Sequence, residues 1–199
     1  MATALIFLWL AAFPLMGSPG PATLSLAGLG AAYGMRRGIP YLIGIIIGTF
    51  TVLLMIASGV TALILAEPAL VQILVVLAAT YILYLAWKIA TAPVITTPKA
   101  DARVPSLPGG FLLAIANPKA FAAIGAVYSG HALPIGSVAG GAAVKVAALT
   151  AVIIIVNTVW LAAGSALSRV LGDPKLGRAA NIAFAVMLIL SVAAALLGG

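Results

Sequence analysis

The sequence is poorest in acid. Glu67, Asp101 and Asp173 are its only carboxylates, and together with ten Lys and Arg they bring charged residues to just 7% of 199. Soluble domains usually carry about 25% charged residues, so there is too little polar side chain here to cover a water-facing surface. Cysteine is absent, which excludes disulfides and thiolate metal sites. His131 is the single histidine. No metal cluster, nucleophilic constellation or phosphate-binding loop can be read from the chain, and no cofactor is expected. What the sequence does have is apolar surface: 64% hydrophobic residues and a mean hydropathy of +1.29. This is the composition of an all-α integral membrane protein. At ~20 residues per span the chain has room for about six helices and none for a separate soluble domain.

Punctuation by Pro and Gly divides the chain into six spans, over about 3–34, 39–65, 68–91, 109–130, 135–168 and 178–198. The net charge of +7 would point to nucleic acid in a soluble protein, but here the basic residues sort by loop. Arg36 and Arg37 fall in the first loop, Lys88, Lys99 and Arg103 at the third, and Arg169, Lys175 and Arg178 at the fifth. The positive-inside rule then places these loops in the cytoplasm and both termini in the periplasm of a bacterial inner membrane. Trp87 and Trp160 fall near cytoplasmic span ends, as interfacial anchors do. No basic residue precedes the first apolar stretch, and that stretch outruns a cleavage region, so it reads as a span rather than a signal peptide.

Two spans carry helix breakers in their middles. Residues 2–35 hold no charge and would make a helix ~50 Å long, against a hydrocarbon core ~30 Å thick. Within them stands Gly17-Ser18-Pro19-Gly20-Pro21, which ends a helix. In the fourth span Asn117 is a good N-cap and Pro118 suits the first helical position. Each break is expected near the midplane, where freed backbone groups must line protein or a wet cavity. Three spans per half make the second half inverted relative to the first. The expected organisation is therefore residues 1–91 and 109–199 as two inverted three-helix repeats, joined by a cytoplasmic linker at 92–108. Paired broken helices in inverted halves are the pattern of secondary transporters. Each second half-helix would present unpaired N–H groups and a partial positive charge to an anion.

Ser18-Pro19-Gly20-Pro21 and Asn117-Pro118-Lys119-Ala120 resemble the two signatures of the LysE/RhtB family of amino-acid exporters. Gly44-Ile-Ile-Ile-Gly48 resembles the family's second span, Ala79 to Lys88 the end of its third, and Gly110-Phe111 the approach to its fourth. The resemblance covers essentially the whole chain. It implies six spans, no enzymatic activity, and proton-driven export of an amino acid or related small carboxylate-bearing metabolite by an antiporter. Thr49 stands where the family often has an Asp, which removes the obvious intramembrane proton carrier.

Lys119 and Lys145 lie inside spans that contain no acid. A buried charge must pair or neutralise, so either a substrate carboxylate is the partner or one lysine gives up its proton. Alternatively Lys119 pairs with a backbone carbonyl in a structural role. Lys145 lies ~15 Å deep and Thr49 ~16 Å, so the two read as level with one another. The expected substrate-binding set is Ser18, Pro19, Gly20, Pro21, Thr49, Asn117, Pro118, Lys119 and Lys145, with Lys145 also the proton-coupling group. Gly44 and Gly48, like Gly136 and Gly140, have helix-packing spacing that serves either internal contacts or a homodimer. A passive channel for small solutes or anions, an exporter of inorganic ions and a non-transporting scaffold are the competing classes. Charge within the spans argues against the scaffold.

Overall fold

The computed structural model of the chain describes residues 1–59, 67–91, 105–170 and 174–197. Among these residues it has no strand and eight α-helices: α1 (Ala2–Gly17), α2 (Pro21–Tyr33), α3 (Met35–Ala57), α4 (Pro68–Ala90), α5 (Leu107–Ile115), α6 (Pro118–Gly130), α7 (Val138–Val170) and α8 (Pro174–Leu197). Pro21, Pro68, Pro108, Pro118 and Pro174 each fall in the first two positions of a helix. There the missing N–H has no intrahelical partner to lose and the fixed φ favours the first turn. Among the described residues, α3 and the Val138–Leu167 stretch of α7 are each long and apolar enough to cross a membrane. The pairs α1–α2 and α5–α6 pass the same test jointly, bent by 64° and 60° at their breaks. Both breaks lie where Pro and Gly placed them.

The joints differ from the sequence reading in detail. Gly34 alone separates α2 from α3, so Arg36 and Arg37 occupy the first turn of α3 rather than a loop. Gly34 has φ 78°, a left-handed conformation that glycine adopts without the Cβ penalty, and this lets one residue reverse the chain. The helix of the second expected span, α3, stops at Ala57, and residues 60–65 of that span lie outside the described residues. So do 92–104 of the linker, with Lys99, Asp101 and Arg103, as well as Asp173 and the side chain of Arg169.

Two apolar cores form, one on each side of the breaks. The first takes Leu24, Leu26 and Leu29 from α2, Tyr41 and Ile45 from α3, Leu85 and Ile89 from α4, Leu113 from α5 and Leu161 from α7. The second takes Leu8 and Ala12 from α1, Val52 and Leu53 from α3, Ile124 and Val127 from α6, and Leu149 to Ile153 from α7. Among the described residues, α3 and α7 alone contribute buried side chains to both. Between its two contributions α3 carries Thr49, and α7 carries Asn157, both buried. Hence these two buried polar residues lie at the seam where the cores meet.

Glycine sets the closest approaches. α3 packs along α5, and α7 along α2. A Cβ on Gly44 would strike the Leu107 carbonyl, one on Gly110 the Tyr41 carbonyl, and one on Gly48 would lie 2.7 Å from both Phe111 O and Ala114 Cβ. On the other pair, Gly30 abuts the Leu161 carbonyl and Gly164 the Ala27 carbonyl. The Gly44–Gly48 spacing therefore serves a contact inside the chain. Gly136 meets nothing within 4 Å, and Gly140 meets only Ser137 and Ile135 beside it. Gly44→Ala is thus expected to destabilise the fold by about 1–3 kcal/mol, as overpacking does, while Gly136→Ala changes little. Thermal unfolding of the purified variants in detergent measures both.

Candidate functional site

The break at Gly17 to Pro21 frees carbonyls that an apolar interior cannot solvate, and four of them, those of Leu15, Gly17, Ser18 and Pro19, receive side-chain donors. Ser18 Oγ turns back to Leu15 O at 3.0 Å. Trp160 Nε1, from α7, donates to Gly17 O at 3.0 Å. Lys119 Nζ donates to Ser18 O and, at 3.2 Å, to Pro19 O. The lysine of the second break thus seals the first, and the two Pro motifs meet. Gly20 permits the approach: its backbone is fully extended (φ −175°), but a Cβ there would lie 2.5 Å from Lys119 Cδ and 3.0 Å from Nζ.

The two half-helix starts are finished differently. At α6 the Asn117 carbonyl oxygens do the capping: Oδ1 accepts from Lys119 N at 3.2 Å and the main-chain O from Ala120 N at 3.0 Å. At α2, Thr23 Oγ1 accepts from Gly20 N at 2.9 Å and donates to Gly20 O or Ser18 O. Leu24 N makes the first intrahelical bond, to Gly20 O. Ala22 and Thr23 N–H, the next donors of that turn, find no acceptor among the described residues. Of the two expected anion-binding helix starts, only the one at α2 is left open.

A cavity of about 40 Å³ lies against this junction, room for about three waters at the ~10–15 Å³ each needs. Its polar wall is Gly20, Thr23, Thr49, Asn117, Lys119 and Asn157, and its apolar wall includes Met16, Ala123, Ile124, Ile153 and Val156. Asn117, Asn157 and Thr49 keep only 4%, 6% and 8% of their surface. Asn157 Nδ2 donates to Ile153 O at 2.7 Å, so its Oδ1 has no donor among the described residues. The Thr49 hydroxyl and Asn117 Nδ2 have no partner among the described residues either.

Ser18, Pro19, Gly20, Pro21, Thr49, Asn117, Pro118 and Lys119 therefore gather at one junction, and Lys145 does not. Lys145 Nζ donates to Tyr128 O at 2.8 Å and lies 4.3 Å from the Tyr128 ring centroid, at the far end of α6. His131 Nδ1 lies 3.0 Å from Val127 O beside it. The residue of α7 level with Thr49 is Asn157, which is ~18 Å further along the helix from Lys145. A depth counted from the start of the span places Lys145 level with Thr49, but α7 is 33 residues long, too long for a count from one end to locate the seam. Asn157 and Thr23 were missed as site residues. Asn157 had a signal, an amide in an apolar run between Val156 and Val159; Thr23, two residues into a helix, had none. Trp160 is a break-sealing donor rather than an interfacial anchor, whereas Trp87 is exposed as expected.

Comparison with known proteins adds an independent finding. The family described as LysE type translocator matches residues 13–198. A cysteine/O-acetylserine efflux protein of Salmonella typhi is 37% identical over 94 residues, 47% of this chain and 46% of that protein. The protein of the same description from Escherichia coli (strain K12) is 36% identical over 76 residues, 38% and 39% of the two chains. The matched part thus spans about half the length of these relatives or less. No solved structure matches the chain.

Lys119→Met leaves two carbonyls without their donor and is expected to destabilise the protein by about 1–3 kcal/mol; Trp160→Phe, which removes a single neutral bond, should cost about 0.5–1.5 kcal/mol. Melting temperatures in detergent give the ranking, and a Lys119→Met protein as stable as wild type would show that the seal is not needed.

Proposed function

Because the chain belongs to the LysE type translocator family, we propose that it is a secondary transporter that exports a small amino acid or related carboxylate-bearing metabolite across a bacterial inner membrane. The observation that carries this reading is the meeting of the two broken helices at a small polar cavity that contains a lysine and no acid. The substrate carboxylate is received by Lys119 and by the open N–H groups of Ala22 and Thr23, at the positive end of the α2 dipole. To do so the lysine exchanges a backbone carbonyl for the carboxylate. Gly20 lines the cavity, Ser18 and Pro19 hold Lys119 by their carbonyls, and Pro21 and Pro118 start the two half-helices. The names of the relatives, cysteine/O-acetylserine efflux proteins, support a small uncharged side chain on the substrate.

In this reading the chain forms six spans as two inverted three-helix repeats, 1–91 and 109–199, with the linker 92–108 in the cytoplasm and both termini outside. The exchange of contacts between the halves supports it: α3 packs on both α5 and α6, and α7 on both α1 and α2. A core on each side of the cavity favours alternating access over an open channel, since one core can part while the other stays shut. Proton coupling is assigned to Lys145. It is the other intramembrane lysine, it stands apart from the substrate cavity, and losing its proton would weaken its hold on the end of α6.

Two measurements test this reading. Proteoliposomes loaded with O-acetyl-L-serine or L-cysteine are expected to show saturable efflux that an inward proton gradient accelerates. A flux that neither saturates nor responds to the gradient would make the protein a channel. Lys145→Gln is expected to retain substrate-for-substrate exchange within about threefold while losing gradient-driven accumulation, and unchanged accumulation would remove Lys145 from the coupling.

A further inference from the structure

The cavity is lined by two unlike sets of polar groups. One is cationic, made by Lys119 and the start of α2. The other consists of neutral oxygens on the two helices that run through both cores: Thr49 Oγ on α3 and Asn157 Oδ1 on α7. Both side chains are more than nine-tenths buried. The Asn157 amide is oriented by its bond to Ile153 O, which leaves its carbonyl oxygen as a fixed acceptor. Buried acceptors without a donor are rare in native proteins and unfavourable. A cavity with room for about three waters lets a ligand supply the missing donor.

We infer that Asn157 and Thr49 bind the amino group of the substrate, so that the site selects small α-amino acids against carboxylic acids of the same shape. This rests on the export reading above and adds to it the part of the substrate that is discriminated. A zwitterion fits the two sides together: its carboxylate faces the cation and its ammonium faces two neutral acceptors. A free cation, such as a diamine, would meet Lys119 with no carboxylate in the cavity wall to offset it. The rest of the wall is apolar and close, with Ile124, Ile153 and Val156, so the third substituent must be short and uncharged. Neutral acceptors also suit export, because they hold an ammonium less firmly than an acid would and release it more easily.

The test compares L-cysteine with 3-mercaptopropionate, which keeps the carboxylate and thiol and lacks the amine. Under reducing conditions, each is used to inhibit counterflow of radiolabelled L-cysteine into proteoliposomes. Wild type is expected to prefer L-cysteine by about 10²-fold or more, as sites built around a buried hydrogen bond do. Asn157→Leu, similar in size and without the acceptor, should weaken L-cysteine by at least about tenfold and leave 3-mercaptopropionate within about threefold. Thr49→Val should act in the same direction more weakly, and Thr49→Ser should restore discrimination, which guards against a variant that merely misfolds. Equal losses for both ligands, or preserved discrimination in Asn157→Leu and Thr49→Val, would overturn the inference and leave amino-acid export standing. A wild-type protein that transports neither L-cysteine nor O-acetyl-L-serine would overturn the export reading and this inference with it.

Discussion

A backbone carbonyl in a bilayer interior must find a donor within the protein, and the rest of this structure is arranged around four that receive a side-chain donor in place of a helical N–H. Gly-Ser-Pro-Gly-Pro stops α1 and strands the carbonyls of Leu15, Gly17, Ser18 and Pro19. One is recovered locally by Ser18 Oγ. The other three are recovered from elsewhere, by Trp160 and Lys119. Because Lys119 belongs to the second break, satisfying the first break brings the two together, and the polar cavity is the space left beside that junction.

Packing on both sides keeps the junction where it is. Each core is a layer of Leu, Ile and Val contributed by both halves of the chain, and the glycines of α2, α3, α5 and α7 let the backbones come close enough to close those layers. Without a hydrophobic driving force between helices in lipid, close small-residue packing is a main source of association. The seam between the layers is then the one level at which α3 and α7 can present buried polar side chains to a shared space. Thr49 and Asn157 occupy it, and their unmet hydrogen-bonding capacity gives the seam chemistry as well as position.

Much of this was legible in the sequence, for physical reasons that also explain the rest. Proline and glycine act locally, so the breaks, the helix starts and the bend between half-helices could be read directly. The place of Lys119 beside the second break followed as well, because Asn117 and Pro118 fix the helix start immediately before it. The partner of Lys119 did not follow, since a contact spanning 101 positions depends on tertiary packing. Counting failed along α7, where 33 residues exceed the ~20 that a span needs and the register against the breaks is free to slide. That is why Lys145 was placed level with Thr49 and Asn157 was passed over. Trp160 was misjudged for a related reason: an indole near a span end reads as interfacial until a stranded carbonyl is found in front of it.

The sealing of the first break has a consequence for how the protein is made. Ribosomal synthesis delivers α1 and α2 long before Lys119, and Trp160 follows 143 positions after the carbonyl it serves. Until both arrive, the nascent first span holds open backbone groups that only water or the insertion machinery can satisfy. The first helices also lack their main packing partners until then, since α3 packs along α5 and α2 along α7. A nascent chain stopped before residue 119 would be inserted yet unsealed, a natural substrate for membrane quality control, and completion of the last helices would be what converts a set of spans into a folded protein.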